Sequence, residues 1–150
     1  MKRVVITGMG INSCIGNTLE DVTHSLQNGI SGTRFNPIYA EMNFKSHISA
    51  AAEQNFDGID RRLKRFMGVC AMYAYNAALA AVQHAGLTAE QIGGNPRYGI
   101  AGGSGGGSTA SVIEMNELLQ TKGARKVGPF FVPRNMSNTI TANVGVAFKM

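Results

Sequence analysis

The sequence predicts an α/β protein built in layers, and three observations carry that expectation. Short β-branched apolar runs alternate with segments whose apolar residues recur every three to four positions, the alternation of parallel strands and helices. The β-type runs Arg3–Thr7 and Arg97–Ala101 end directly in glycine-rich turns. The longest helical pattern becomes alanine-rich in its second half, as helices that pack closely on another helix do.

Arg3 to Thr7 stops at Gly8-Met9-Gly10, which predicts a buried strand followed by a tight turn. Asn17 and Glu20 stand at capping-box spacing, and Leu19, Val22 and Leu26 share a helical face before Gly29. From Ser31 to Asp60 the pattern is irregular, with one short strand expected near His47–Ala52. Asp60 opens a long predicted helix whose apolar face runs from Leu63 through Cys70 to Val82 and ends at Gly86. Thr88 and Gln91 form a second capping box, before a short helix that stops at Gly93-Gly94. Arg97 to Ala101 is the second predicted strand, and Gly102 to Ser108 is the densest glycine cluster. Ser108 can cap a helix carrying Val112, Met115, Leu118 and Leu119. Pro129 to Pro133 then leads into a final helix with Met136, Ile140, Val144 and Ala147 on one face.

A chain of 150 residues, 44% hydrophobic and 15% charged, fits one domain with a real core, and no Gly-, Ser- or Pro-rich linker divides it. The apolar fraction excludes a disordered tail, and no apolar run approaches the length of a membrane-crossing helix. The basic start is followed by only Val4, Val5 and Ile6 before Thr7 and Gly8, so no signal peptide is expected and the expected compartment is the cytoplasm. Cys14 and Cys70 are expected as free thiols. The net charge of +5 is unevenly spread: Arg61, Arg62, Lys64 and Arg65 form one group, Lys122, Arg125, Lys126 and Arg134 another, and Gln120 to Met150 holds no carboxylate. An anionic partner fits this pattern, whereas the low charged fraction does not suit a dedicated nucleic-acid binder.

The glycine turns invite a nucleotide reading that the neighbouring residues weaken. Gly8-Met9-Gly10-Ile11-Asn12-Ser13 lacks the third glycine of the dinucleotide fingerprint, and Gln27 to Phe35 offers no carboxylate for a ribose. Gly102 and Gly107 have phosphate-loop separation, but Ser108 stands where a lysine should hold the phosphates. What remains is a backbone that a substrate or another segment can approach very closely. Neither cysteine has the neighbours of a nucleophile, and His24, His47 and His84 lack metal-ligand spacing. Glu114 and Glu117 read as a solvated helix face. The cations at the start of the Asp60 helix oppose the helix dipole; binding and a merely solvated helix start both account for them.

Several segments taken together resemble a known family. They are Lys2 to Gly10 with Ile15-Gly16-Asn17, Asp60-Arg61-Arg62 with Arg65-Phe66-Met67, Gly103 to Ser108, and Val127-Gly128-Pro129-Phe130 through Met136 to Phe148-Lys149. They resemble the β-ketoacyl-[acyl-carrier-protein] synthases, and among these the type I elongating condensing enzymes of fatty-acid synthesis, collinearly over essentially the whole chain. The resemblance implies a thiolase-like fold of two α/β halves in α/β/α/β/α layers, with residues 1–150 as the N-terminal portion of an incomplete domain. It implies a homodimer that performs a decarboxylative Claisen condensation between an acyl group on a cysteine and malonyl on acyl carrier protein.

The resemblance also implies roles. Gly106 would line the acyl channel, Val112 would lie at the pocket floor, and Met136 would reach across the dimer interface toward the partner's pocket. Arg62, Arg65, Lys122, Arg125 and Lys126 would meet the acidic recognition helix of the carrier protein. No resident cofactor or metal is implied, since the substrates ride on the phosphopantetheine arm of the carrier, and neither nucleic acid nor membrane is an implied partner. The family's nucleophilic cysteine follows shortly after the region matching Phe148-Lys149, and its catalytic histidines and lysine lie in the second half. No residue of 1–150 is therefore expected to be catalytic, the 150 residues alone are expected to be inactive, and apolar faces such as Leu63–Val82 are expected to stay uncovered. A non-catalytic carrier-binding module, akin to a chain-length factor, is the alternative reading, with a nucleotide-binding Gly102–Ser108 loop third.

Overall fold

Eight helices in chain order carry most of the structure, a computed structural model that describes residues 3–150; Met1 and Lys2 of the basic start lie outside the described residues. They are α1 (Leu19–Gln27), α2 (Pro37–Glu41), α3 (Arg61–Lys64), α4 (Val69–His84), α5 (Ala89–Ile92), α6 (Thr109–Lys122), α7 (Phe131–Asn135) and α8 (Thr139–Phe148), with a 3₁₀ turn at Ala124–Lys126. The strands β1 (Arg34–Phe35) and β2 (Ile48–Ser49) pair antiparallel, Arg34 opposite Ser49 and Phe35 opposite Ile48.

The centre is the packing of α4 on α8. Ile92, Val144 and Phe148 are buried there beneath Tyr75, Ala78, Leu79, Tyr98 and Ile100. Burying each of these large side chains contributes about 1.5–3 kcal/mol relative to leaving it exposed. Small residues allow the close approach: Ala74 and Ala78 on α4 face a helix whose Gly145 is itself buried. A second cluster, Ile59, Met67 and Ala71 with Phe56 and Leu63, joins the start of α4 to the segment before α3.

The predicted strands Arg3–Thr7 and Arg97–Ala101 form no ladder among the described residues. Each is laid on helices instead. Gly8 and Gly10 lie against the backbone of α4 so closely that a Cβ on either would collide with the carbonyl oxygens of Ala81 and Ala77. The Met9 amide there donates to His84 Nδ1 at 3.0 Å. Ile100 enters the core between α4 and α8. With no backbone alongside to pair with, Val4, Val5 and Ile6 are 95%, 70% and 82% exposed, so the expected burial of this strand is corrected.

Further local expectations are revised. Thr18 rather than Asn17 caps α1, accepting from the Asp21 amide at 3.1 Å, while the Asn17 amide reaches the Glu53 carbonyl at 2.6 Å. The helix opened by Asp60 is two helices, broken where Gly68 must pass Ser108 and the Arg134 carbonyl. Pro129–Pro133 does not merely lead into a helix, since Phe131–Asn135 is one, and Met136 ends it in extended backbone instead of joining the face of α8. Leu26 turns outward, as do Val112 and Leu119, whereas the buried positions at the start of α6 are Ser108 and Ser111. The uncovered apolar surface therefore lies on α6 and at Val4–Ile6 more than on α4, which the N-terminal segment and α8 cover.

The Thr88/Gln91 capping box forms as expected, with the Thr88 amide donating to Gln91 Oε1 at 2.8 Å. Ser108 likewise caps α6. A strand appears at Ile48–Ser49, within the expected His47–Ala52.

Candidate functional site

A cationic shelf assembles from two parts of the chain. Asp60 caps α3 by accepting from the Arg62 amide at 2.7 Å, which places Arg61 and Arg62 on the exposed first turn. A carboxylate at that end offsets the repulsion between the helix dipole and these cations. Arg61, Arg62 and Arg65 with Asp60 border an open concavity of about 530 Å³. Arg65 folds its guanidinium over Phe130, 4.5 Å from the ring centre, and Phe66 meets the same ring edge-on at 5.0 Å.

Phe130 follows shortly after the 3₁₀ turn that presents Arg125 and Lys126, and that turn is reached from Lys122 through Gly123, whose φ of +77° ends α6. Arg65 of the first group thus packs on a ring that follows Lys126 of the second by four residues in the chain. Among the described residues the one ion pair is Arg134–Glu114 at 3.5 Å, so Arg62, Arg65, Lys122, Arg125 and Lys126 have no carboxylate partner there. Arg134, grouped with the second cluster by sequence, is turned inward.

The glycine loop lies along the end of α7. The Ser104 amide donates to the Ser137 carbonyl at 3.3 Å, and Ser104 Oγ accepts from the Gly107 amide at 3.1 Å. Gly107 has φ +58°, and a Cβ there would sit 2.8 Å from the Asn135 carbonyl. Gly106 and Met136 are thereby brought onto adjoining segments, with Val112 one turn into α6 and exposed. Gly103, Gly105 and Gly106 face open space, with nothing within 4 Å of an added Cβ. An apolar cleft of about 280 Å³ opens between Leu63, Phe66, Pro133, Ala142, Asn143 and Val146. Sequence reasoning missed this cleft and the role of Phe130; the aromatic pair in Pro129-Phe130-Phe131 was the available signal.

Cys14 and Cys70 are free, half-buried thiols, and among the described residues no His or carboxylate hydrogen bonds to either. The polar cleft of about 370 Å³ beside Cys14 mixes Asp21, His24, Arg34 and Glu53 without convergence on one ligand chemistry. No three His, Cys, Asp or Glu side chains among the described residues form a metal site. At the start of α5, the Glu90 carboxyl is held below its ordinary range by its own backbone amide, then by the Thr88 hydroxyl, with Lys149 adding attraction. The arrangement offers exposed cations without carboxylate partners among the described residues, and a loop whose Gly103, Gly105 and Gly106 border open space.

Residues 1–150 match, end to end, the family described as Beta-ketoacyl synthase, N-terminal domain. The chain belongs to the β-ketoacyl synthase family. It is 38% identical over 152 residues to 3-oxoacyl-[acyl-carrier-protein] synthase 1 of Haemophilus influenzae, covering all of this chain and 37% of that protein. The crystal structure of a β-ketoacyl synthase from Burkholderia phymatum STM815 superposes with a TM-score of 0.82 at 28% identity, over 100% of this chain and 38% of that one. AntDE:AntF, a type II PKS acyl-carrier protein in complex with its ketosynthase, shares the fold alone: TM-score 0.74 at 19% identity, over 99% of this chain and 39% of that one. The fold is thus that of the N-terminal part of a thiolase-like ketosynthase, and the chain spans a little over a third of the length of these relatives, 37% of the Haemophilus influenzae protein.

Proposed function

We propose that residues 1–150 form the N-terminal portion of an elongating β-ketoacyl-[acyl-carrier-protein] synthase, an incomplete thiolase-like domain working as a homodimer in the cytoplasm. The reaction is the joining of an acyl group held on a cysteine to malonyl on acyl carrier protein, with loss of carbon dioxide. The observation that carries this reading is the end-to-end family match, to which the structure adds a cationic shelf without carboxylate partners. Arg62, Arg65, Lys122, Arg125 and Lys126 dock the acidic carrier, whose approach the unpaired positive field steers. Gly106 leaves the acyl channel open, Val112 lies at its floor, and Met136 reaches toward the pocket of the second subunit. No described helix is long and apolar enough to cross a membrane.

The reaction needs a thiolate and groups that stabilise developing negative charge. These 150 residues supply docking, channel and interface surfaces without them, so the segment by itself does not turn over. Titration with acyl carrier protein should show affinity falling roughly tenfold or more on Arg62→Glu with Arg65→Glu; unchanged affinity would remove the docking assignment. Malonyl decarboxylation and condensation should both be undetectable with the purified segment, and turnover would show that the chemistry has been misplaced.

A further inference from the structure

The cations of the two groups differ in how they are held: Lys64 Nζ donates to the Phe56 carbonyl at 3.3 Å, and Arg134 alone is paired with a carboxylate among the described residues. Its side chain is 24% exposed, and two of the three guanidinium nitrogens are engaged internally. Nε donates to the Arg65 carbonyl at 3.0 Å, one terminal nitrogen meets Glu114 at 3.5 Å, and the group lies 5.4 Å from the Phe131 ring centre. The acceptor is informative. Arg65 is the C-cap of α3, and the last carbonyls of a helix lack partners within it. No backbone amide among the described residues fills that position, because the chain breaks toward Gly68. Gly68 lies close to the same residue: a Cβ there would lie 2.9 Å from the Arg134 carbonyl and 2.5 Å from Ser108 Cβ. Arg134 therefore bonds the Arg65 end of the Arg65–Gly68 turn with its side chain and lies against the Gly68 end with its backbone.

We propose that Arg134 is a positioning residue for the anionic carrier: it fixes the turn that presents the Arg65 guanidinium on Phe130, and does not meet the carrier itself. The inference rests on the reading that the shelf binds acyl carrier protein. A long arginine held in place before binding loses less freedom when it binds. The charge of Arg134, paired with Glu114, adds little attraction at the surface.

The test is titration of the full chain with fluorescently labelled acyl carrier protein over a range of salt concentrations. Arg134→Gln should weaken binding roughly threefold to tenfold, as loss of one charge-assisted bond would. The salt dependence should not change, since no carrier-facing charge has been removed. Arg134→Lys keeps the charge and can still pair with Glu114 but lacks the planar fork, so it should weaken binding to the same extent. In an Arg65→Ala background both effects should vanish.

Full affinity in Arg134→Lys, a shallower salt dependence in Arg134→Gln, or additive losses with Arg65→Ala would each overturn the proposal. Arg134→Lys decides the matter where Arg134→Gln prevents folding. The two readings fail differently: Arg65→Ala weakening binding while Arg134 adds independently removes the positioning role alone. Indifference to Arg62→Glu with Arg65→Glu removes the docking reading and this one with it.

Discussion

The turn at Gly8–Gly10 and the run Gly102–Gly107 both dispense with side chains, for opposite reasons. At the first, the space is already filled: the backbone of α4 occupies the positions that Cβ atoms would take. At the second, most of the space is empty, and only Gly107 is constrained, by its left-handed backbone and the Asn135 carbonyl beside it. The first glycines are explained within the chain. Gly103, Gly105 and Gly106 meet nothing within 4 Å of an added Cβ. Richness in glycine is thus two different signals, separated by what surrounds the missing Cβ.

This contrast can be broken by substitution, with the largest effect at the filled turn. Gly10→Ala should lower stability by about 3 kcal/mol or more, because a helix backbone cannot yield as a side chain can. A shift in the urea midpoint at constant slope would measure it. Gly107→Ala should cost about 1–2 kcal/mol from its positive φ, read in the same melts. Gly106→Ala should stay within about 0.5 kcal/mol of the parent. In the complete enzyme it should nevertheless slow turnover with long acyl chains more than with short ones; equal rates would detach Gly106 from the channel.

The smallest effect concerns Glu90, far from both turns. Its depressed carboxyl contributes stability that is present above the unfolded value and lost as pH falls through the folded one. Urea melts from neutral into acid should therefore fall slightly more steeply for the parent than for Glu90→Gln. A steeper fall in the variant would reverse the assignment.

What could be read in advance follows the reach of each interaction. The Thr88/Gln91 box and the Ser108 cap were legible because both partners lie within three residues of each other. The break at Gly68 was not, because the apolar spacing runs through it and the obstacles are Ser108 and Arg134. Asn17 looked like a cap and instead bonds Glu53. Arg134 looked like one more surface cation, since composition does not say which charges are neutralised by neighbours distant in sequence. The strands were legible as apolar runs, but pairing is a property of neighbours, which a run cannot report. The candidate site was partly legible: its cations stood out in the charge pattern, while the aromatic ring under Arg65 did not.

Phe130 has a consequence for rhythm rather than strength. Phe66 and Arg65 pack on it, and it follows the turn bearing Arg125 and Lys126 in the chain, so in the proposed complex it acts as a spacer between the two banks of charge. In the proposed complex, the charges govern how often a visitor arrives, and the spacer governs whether its negative groups find both banks at once and how long it stays. Arrival and dwell time are therefore adjustable by different residues on one small surface.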